Sequence, residues 1–276
     1  MSIVTFWGTG KEQAGRTMAV AAIATNMAIE RNKRILVVSA SLNNETLKNC
    51  YWSESIEKKS SIFRPVSGVE LDNGIEGLTK IIQSNKISPE LITDYTKVVF
   101  KDRLEILLGF EEKTLYTPEN IAKIYKEIVN LAEKYYDIVI VDLDNEIVQA
   151  GADVILTKSD VIIAMTTQKI SSIKYMKEKI GVSLPSGKTM LLIGRYDKTS
   201  KYNTKNLLRL LGEKKELLIM PYNTLFFEAA QEGTVADLFL KLRRIEDKNS
   251  GDAFFMEQVK NVTQEILKKI DGNKLI

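Results

Sequence analysis

Eight residues near the N-terminus, Gly10-Lys11-Glu12-Gln13-Ala14-Gly15-Arg16-Thr17, have the types and spacing of a loop that grips phosphate. In the form G-x-x-x-x-G-K-[ST], backbone N–H groups at a helix N-terminus cradle the phosphates, the lysine reaches the β- and γ-phosphates, and the hydroxyl holds Mg²⁺. Gly10, Gly15 and Thr17 fit, and Arg16 stands at the lysine position. The positive charge is kept. A planar guanidinium with five donors nevertheless meets phosphate differently from an ammonium, so the exchange is not conservative. Nucleotide binding survives it more readily than fast hydrolysis does. A glycine-containing turn with no ligand is the plainer alternative, and context counts against it. The loop needs a strand before it and a helix after it, and both are written here as the apolar run Ser2–Trp7 and an alanine-rich stretch ending near Arg31.

A second acidic motif follows much later. Tyr136-Asp137-Ile138-Val139-Ile140-Val141-Asp142-Leu143-Asp144 is an apolar strand with carboxylates at its C-terminal end, where α/β sheets place their ligand groups. In phosphate-loop proteins such an aspartate helps hold the Mg²⁺ of the bound nucleotide, which makes Asp142 the metal-side candidate with Thr17, and Asp144 the alternative. Alone, an acidic residue after a buried strand is more often simply solvated. Together with the loop upstream, the pair reads as a site for ATP and Mg²⁺.

These groups need a scaffold, and its pattern runs the length of the chain. Short apolar runs alternate with helical periodicity, the signature of an α/β fold: a mostly parallel twisted sheet with helices on both faces. Strands are expected near 2–7, 35–40, 104–109, 137–142, 160–165, 189–194 and 217–220. Helices are expected near 16–31, 117–135, 170–180 and 204–212, with a longer one near 224–242. Residues 43–100, rich in Ser, Asn, Lys and Glu, read as a helical and loop insertion capping the site side of the sheet. The expected organisation is one domain over 1–276 with a C-terminal helix near 252–271.

Composition narrows the chemistry. Lys+Arg of 39 against Asp+Glu of 36 leaves +3, so the whole chain is not a polycation built to wrap nucleic acid. With no histidine there is no imidazole base, and the lone Cys50 excludes an internal disulfide framework. No apolar run approaches the ~18 residues of a membrane-spanning helix, so a soluble cytoplasmic protein is expected, with any membrane or polar association peripheral.

On these residues the sequence resembles the ParA/MinD family of deviant Walker-A ATPases. The family pattern is G-K-G-G-x-G-K-[ST], and Lys11 occupies its early signature lysine, which reaches the nucleotide of a dimer partner. Tyr136 to Asp142 is similar to the family's Walker-B strand, and Ser159 to Thr167 with Ile170, Ser171 and Ser172 to its next strand and helix start. Ile219-Met220-Pro221-Tyr222-Asn223, followed by Glu228-Ala229-Ala230-Gln231-Glu232-Gly233, is similar to a late family segment. The likeness covers most of residues 1–240. It implies a homodimer, catalytic contacts from Lys11 and Arg16, and metal contacts from Thr17 and Asp142. It also implies a nucleotide site of Gly10, Lys11, Glu12, Gln13, Ala14, Gly15, Arg16, Thr17 and Met18, with Pro221 and Tyr222 at the base.

The departures all bear on catalysis. Glu12-Gln13 stands where the family has Gly-Gly, setting a carboxylate beside a polyphosphate. Ser39-Ala40-Ser41-Leu42-Asn43 follows the second strand, where the family places water-organising aspartates. Gly194-Arg195-Tyr196-Asp197 replaces a segment that often offers Asn to adenine, leaving base recognition to backbone near Pro221 and Tyr222. Phosphoryl transfer rests on positioning and electrostatic stabilisation, so a site without the lysine and the carboxylate is expected to bind ATP with slow or no hydrolysis.

The eroded site is similar to that of the TadZ/CpaE subgroup, which localises Tad/Flp pilus and secretion assemblies through a protein partner. That group commonly carries an N-terminal receiver-like domain, whereas this sequence opens on the loop strand. Two rival readings stay open: a working partition ATPase on non-specific DNA, and an interaction module that has lost nucleotide binding. For the first, Arg195 to Lys215 holds seven basic and two acidic residues, and Lys198, Lys201, Lys205 and Arg209 would form one stripe if helical. A solvated lysine-rich face is the simpler reading. Phe255, Val259, Val262, Ile266 and Ile270 are either a peripheral membrane anchor or, more simply, the core face of a terminal helix.

Overall fold

The computed structural model describes residues 1–8, 13–41, 45–52, 74–83, 88–110, 117–211 and 217–273. Eight strands form one sheet in the order β3-β4-β2-β5-β1-β6-β7-β8. They are β1 (Ser2–Gly8), β2 (Ile35–Ala40), β3 (Lys97–Phe100), β4 (Leu104–Leu107), β5 (Ile138–Leu143), β6 (Val161–Thr166), β7 (Thr189–Tyr196) and β8 (Leu218–Pro221). All neighbours run parallel except β3, which pairs antiparallel with β4. Every residue of β1, β2, β5 and β6 is buried, as expected of parallel strands covered on both faces.

Side chains alternate across the strands and build two cores. Val4, Phe6, Val37, Ile140 and Ile163 face one side, beneath α1 (Arg16–Glu30) and α11 (Gly251–Asn273). Ile3, Trp7, Val38, Val141 and Ile162 face the other, against α4 (Pro118–Ala132). Alanine-rich α1 is buried from Ala19 to Ala28, consistent with strong helix propensity and a helix covered all round. Its buried Asn26 donates to Thr263 Oγ1 of α11 at 3.2 Å. The start of α4 follows capping rules: Thr117 accepts from the Asn120 N–H, and Pro118 holds the first turn.

All seven expected strands and the expected helices form, with three differences. The long pattern near 224–242 is two helices, α9 (Thr224–Glu232) and α10 (Val235–Leu242), because Gly233 turns left-handed at φ 75° and ends the first. The 43–100 stretch contains α2 (Glu45–Tyr51), α3 (Ile75–Gln83), a 3₁₀ helix (Pro89–Tyr95) and strand β3, which the sequence reading missed. Of these, α2 lines the cleft through Thr46, while Ile75, Leu78 and Ile92 pack into the core with α4; residues 53–73 and 84–87 of the stretch lie outside the described residues. The third difference is the basic stripe. Helix α8 (Thr204–Leu211) carries only Lys205 and Arg209, while Lys198 and Lys201 lie in turns before it. Those turns are pinned by Gln168, whose side-chain amide donates to the carbonyls of Asp197 and Tyr202 and accepts from the Asp197 N–H. Lys214 and Lys215 lie outside the described residues.

Between the strands and helices of the sheet's C-terminal half run α5 (Asn145–Ile147), a π-helical turn (Val148–Ala152), α6 (Asp153–Lys158) and α7 (Ile170–Lys179).

Candidate functional site

The register of the sheet decides what meets at the C-terminal end of β1. Phe6 pairs with Asp142 and Trp7 with Leu143 on one side, while Trp7 pairs with Ala164 and Gly8 with Met165 on the other. The C-terminal end of β1 therefore lies directly beside the acidic end of β5. Gly15 then opens α1 with φ 74° and ψ 34°, a left-handed conformation that a side chain would strain. No acidic residue occupies the first turn of α1. Its unpaired N–H groups and positive dipole end are the elements of an anion site.

Arg16, the first residue of that helix, is turned onto the two carboxylates of β5. Its Nε donates to Asp142 Oδ1 at 2.5 Å and its Nη2 to Asp144 Oδ2 at 3.4 Å. Thr17 Oγ1 donates to Asp142 Oδ2 at 2.7 Å, and Ser41 Oγ donates to Asp144 Oδ2 at 3.4 Å. The Asp142 side chain is 1% exposed and that of Arg16 15%. Burial works against the guanidinium's charge. The charges and hydrogen bonds of Asp142 and then Asp144 outweigh it and hold the arginine above its ordinary pKa. Asp144 is further fixed as the N-cap of α5, accepting from the Glu146 N–H, and its own N–H donates to the Ala40 carbonyl.

The far wall comes from the ends of β7 and β8. Gly194 lies so close under the loop that a Cβ there would stand 1.9 Å from the Ala14 carbonyl oxygen. The next residue, Arg195, has φ 51°, a conformation uncommon outside glycine. Its side-chain stem passes close to Gly15, where an added Cβ would meet Arg195 Cγ at 3.5 Å. After β8, Asn223 caps α9 by accepting from the Phe226 N–H at 2.8 Å and donates to Asp252 Oδ1 of α11 at 2.6 Å. Tyr222 and Phe227, 52% and 45% exposed, stand with ring centroids 6.1 Å apart at the mouth.

Together these residues line a cleft of about 500 Å³. Gln13, Ala14, Gly15, Arg16, Thr17 and Met18 form one side, with Thr46 of α2 beside them; Arg195, Met220, Pro221, Tyr222, Asn223, Phe226 and Phe227 form the other. The structure thus brings Gln13 through Met18 together with Pro221 and Tyr222, and sets Asp142 against Arg16 and Thr17. Gly10, Lys11, Glu12, Leu42 and Asn43 lie outside the described residues. Ser39, Ala40 and Ser41 bring no carboxylate. Thr46, Arg195, Met220, Asn223, Phe226 and Phe227 also line the cleft and were not among the expected site residues. For Arg195 the signal was present in Gly194-Arg195, a small residue then a cation at a strand end. Nothing in the periodicity of 224–232 separated Phe227, exposed at the cleft mouth, from Phe226, which lines the cleft while buried in the core.

A divalent cation held by Thr17 and Asp142 does not fit this arrangement. The Arg16 guanidinium lies directly on Asp142 and reaches Asp144, so a metal between Thr17 and Asp142 would sit beside it, one cation against another. Among the described residues there is no cluster of three or more acidic or cysteine side chains arranged for a metal.

The chain has an α/β fold, a mostly parallel sheet with helices on both faces, that it shares with solved ParA and MinD structures. Among solved structures, the chain is similar to a ParA-family ATPase from Chlorobium tepidum, at TM-score 0.66 and 14% identity over 95% of this chain and 98% of that one. It is similar to MinD of Aquifex aeolicus, solved as a MinC:MinD complex, at TM-score 0.62 and 17% identity over 95% and 96%. The septum site-determining protein MinD of Pyrococcus horikoshii, solved with Mg-ADP, gives TM-score 0.59 and 15% identity over 98% and 99%. No protein-family model matches the sequence, and no curated protein sequence matches it.

Proposed function

We propose that this protein is a ParA/MinD-like nucleotide-binding positioning or scaffold protein, which binds ATP in the cleft between α1 and the ends of β7 and β8 and hydrolyses it slowly or not at all. The observation that carries this reading is the cleft itself. An anion-type helix N-terminus at Gly15 and Arg16 opens into the same space as the apolar and aromatic wall of Pro221, Tyr222 and Phe227, as a phosphate end and a base end require. Slow turnover follows from the described part of the site. Arg16 is committed to Asp142 and Asp144 rather than offering a lysine's point charge, and Ser39 to Ser41 provide no carboxylate to organise water.

In this reading occupancy rather than turnover sets whether two copies associate, with Lys11 reaching the partner's nucleotide. The cargo is a protein assembly, of the Tad/Flp pilus or secretion kind that the TadZ/CpaE resemblance implies. Helix α8 carries two of the four stripe cations, which weakens the DNA-gliding alternative. No described helix is long and apolar enough to cross a membrane.

The test is calorimetric titration of ATP into purified protein, with phosphate release followed on the same sample. Micromolar binding with release near the buffer background is expected. Turnover like that of an active ParA-type ATPase sinks the scaffold reading, and no heat of binding with either ATP or ADP sinks the nucleotide reading.

A further inference from the structure

We infer that Arg16 is a built-in replacement for the divalent cation, so that this site takes a nucleoside di- or triphosphate without metal. The inference rests on the nucleotide reading above and adds what neutralises the site. Three observations carry it. First, the guanidinium spans both strand-end carboxylates, with Nε on Asp142 and Nη2 on Asp144. Second, the Thr17 hydroxyl donates to the other oxygen of Asp142, so both oxygens of that carboxylate are engaged within the cluster. Third, the centre of the cluster is buried, Asp142 at 1% exposure beside Arg16 at 15%, and Asp144, 29% exposed, accepts from Ser41 and from the Glu146 N–H.

A magnesium ion needs near-octahedral oxygen ligation and keeps several of its waters, which requires room around the carboxylate. Here that room is filled by a planar cation fixed at two points. An arginine also suits the second half of the task. Its fork has five N–H donors, so a group bound edge-on to carboxylates retains donors for a phosphate, which a lysine ammonium at the same depth could not share as well. Arg195, whose stem lies against Gly15, adds a second positive charge at the cleft. The charge that a metal would bring with the nucleotide is already part of the fold.

The experiment is titration of ADP and ATP into wild type and Arg16→Lys, each in excess magnesium and in EDTA. In parallel, electron paramagnetic resonance of Mn²⁺ reads whether metal joins the nucleotide complex. Arg16→Lys keeps a cation opposite Asp142, which protects folding, but one ammonium cannot span both carboxylates in fixed geometry. Wild-type affinities are expected to agree within about twofold between the two buffers, with Mn²⁺ remaining free. Arg16→Lys is expected to gain about tenfold from magnesium and to hold Mn²⁺, because metal then has access to Thr17 and Asp142. Wild-type binding seen only with magnesium overturns this inference and leaves the nucleotide reading standing. Binding by Arg16→Lys that is equally indifferent to metal overturns the assignment to Arg16. Failure of either nucleotide to bind in both buffers removes the nucleotide reading and this inference with it.

Discussion

Ala14 and Gly194 touch backbone to backbone: the carbonyl oxygen of Ala14 occupies the place a Gly194 Cβ would need, at 1.9 Å, and Met165 Cε closes the same space at 3.0 Å. The phosphate-type loop is thereby seated on the end of β7, and the seat has no slack, since the colliding atom is main chain rather than the tip of a side chain. Gly194→Ala must therefore lift the loop or shift the strand. Overpacking of this kind costs about 1–3 kcal/mol, read as a lower denaturation midpoint. Nucleotide affinity should fall further than that of a Gly187→Ala control, where an added Cβ meets nothing within 4 Å. Equal affinity in the two variants means that the loop is not seated there.

Arg16 and Asp142 should behave as one unit in a double-mutant cycle. Asp142→Asn leaves a mostly buried guanidinium facing Asp144 alone, and loss of one member of a buried pair costs roughly 3–5 kcal/mol when the remaining charge has no escape. Arg16 keeps some exposure, so a value near the bottom of that range is expected. Arg16→Met removes the cation, and in Arg16→Met with Asp142→Asn neither charge is stranded. The coupling from urea denaturation should be about 1–3 kcal/mol in favour of the pair. Additive losses would mean that the 2.5 Å contact contributes nothing beyond its parts.

How much of this was legible beforehand depends on whether the signal was local. Buried parallel strands announce themselves as apolar runs, so β1, β2, β5 and β6 could be read within a residue or so, and Asp142 could be read as their acidic punctuation. Gly15 and Thr17 could be read because loop chemistry fixes their spacing. The direction of the Arg16 side chain was not legible. It is set by carboxylates 126 and 128 positions away, whose proximity exists only through the β1–β5 register. Four-residue β3 was hidden for a related reason: an edge strand needs no apolar run, and Lys97–Phe100 is only half-covered. The basic stripe failed because Lys198 and Lys201 obey turn chemistry, with Asp197 bonding the Thr199 N–H and hydroxyl, rather than the helical period.

Cys50 gives a pH signature. Burial, reinforced by the charge of Asp142, pushes its thiol from 9.0 up to about 12, and Sγ donates to the Thr46 carbonyl. A pKa higher in the folded than in the unfolded chain favours the native state while the thiol is protonated. That contribution is whole below pH 9.0 and is lost as pH climbs towards about 12. Native protein should react with Ellman's reagent at pH 8 only at the rate of opening, with the full thiol appearing in denaturant. Cys50→Ala should lose less stability than wild type between pH 9.0 and about 12, the more so because it also relieves the neighbouring buried Tyr51 of the thiolate's charge. Rapid labelling of the folded protein at pH 8 would contradict the burial on which this rests.

The terminal helix decides between packing and membrane anchoring. Phe255, Val259, Val262, Ile266 and Ile270 are each no more than 3% exposed, and Phe255 stacks into an aromatic cluster with Phe226 and Phe239. A face already spent on the core is not available to lipid without peeling α11 from β8 and α1. Ile266→Ala should therefore act as a core truncation, costing about 2–4 kcal/mol and lowering Tm by roughly 5–10 °C. Wild type and variant should both stay in the supernatant when spun with anionic vesicles. Lipid binding by wild type that Ile266→Asp abolishes, in a protein whose Tm the substitution leaves unchanged, would show instead that the helix swings out and that its buried face is the anchor.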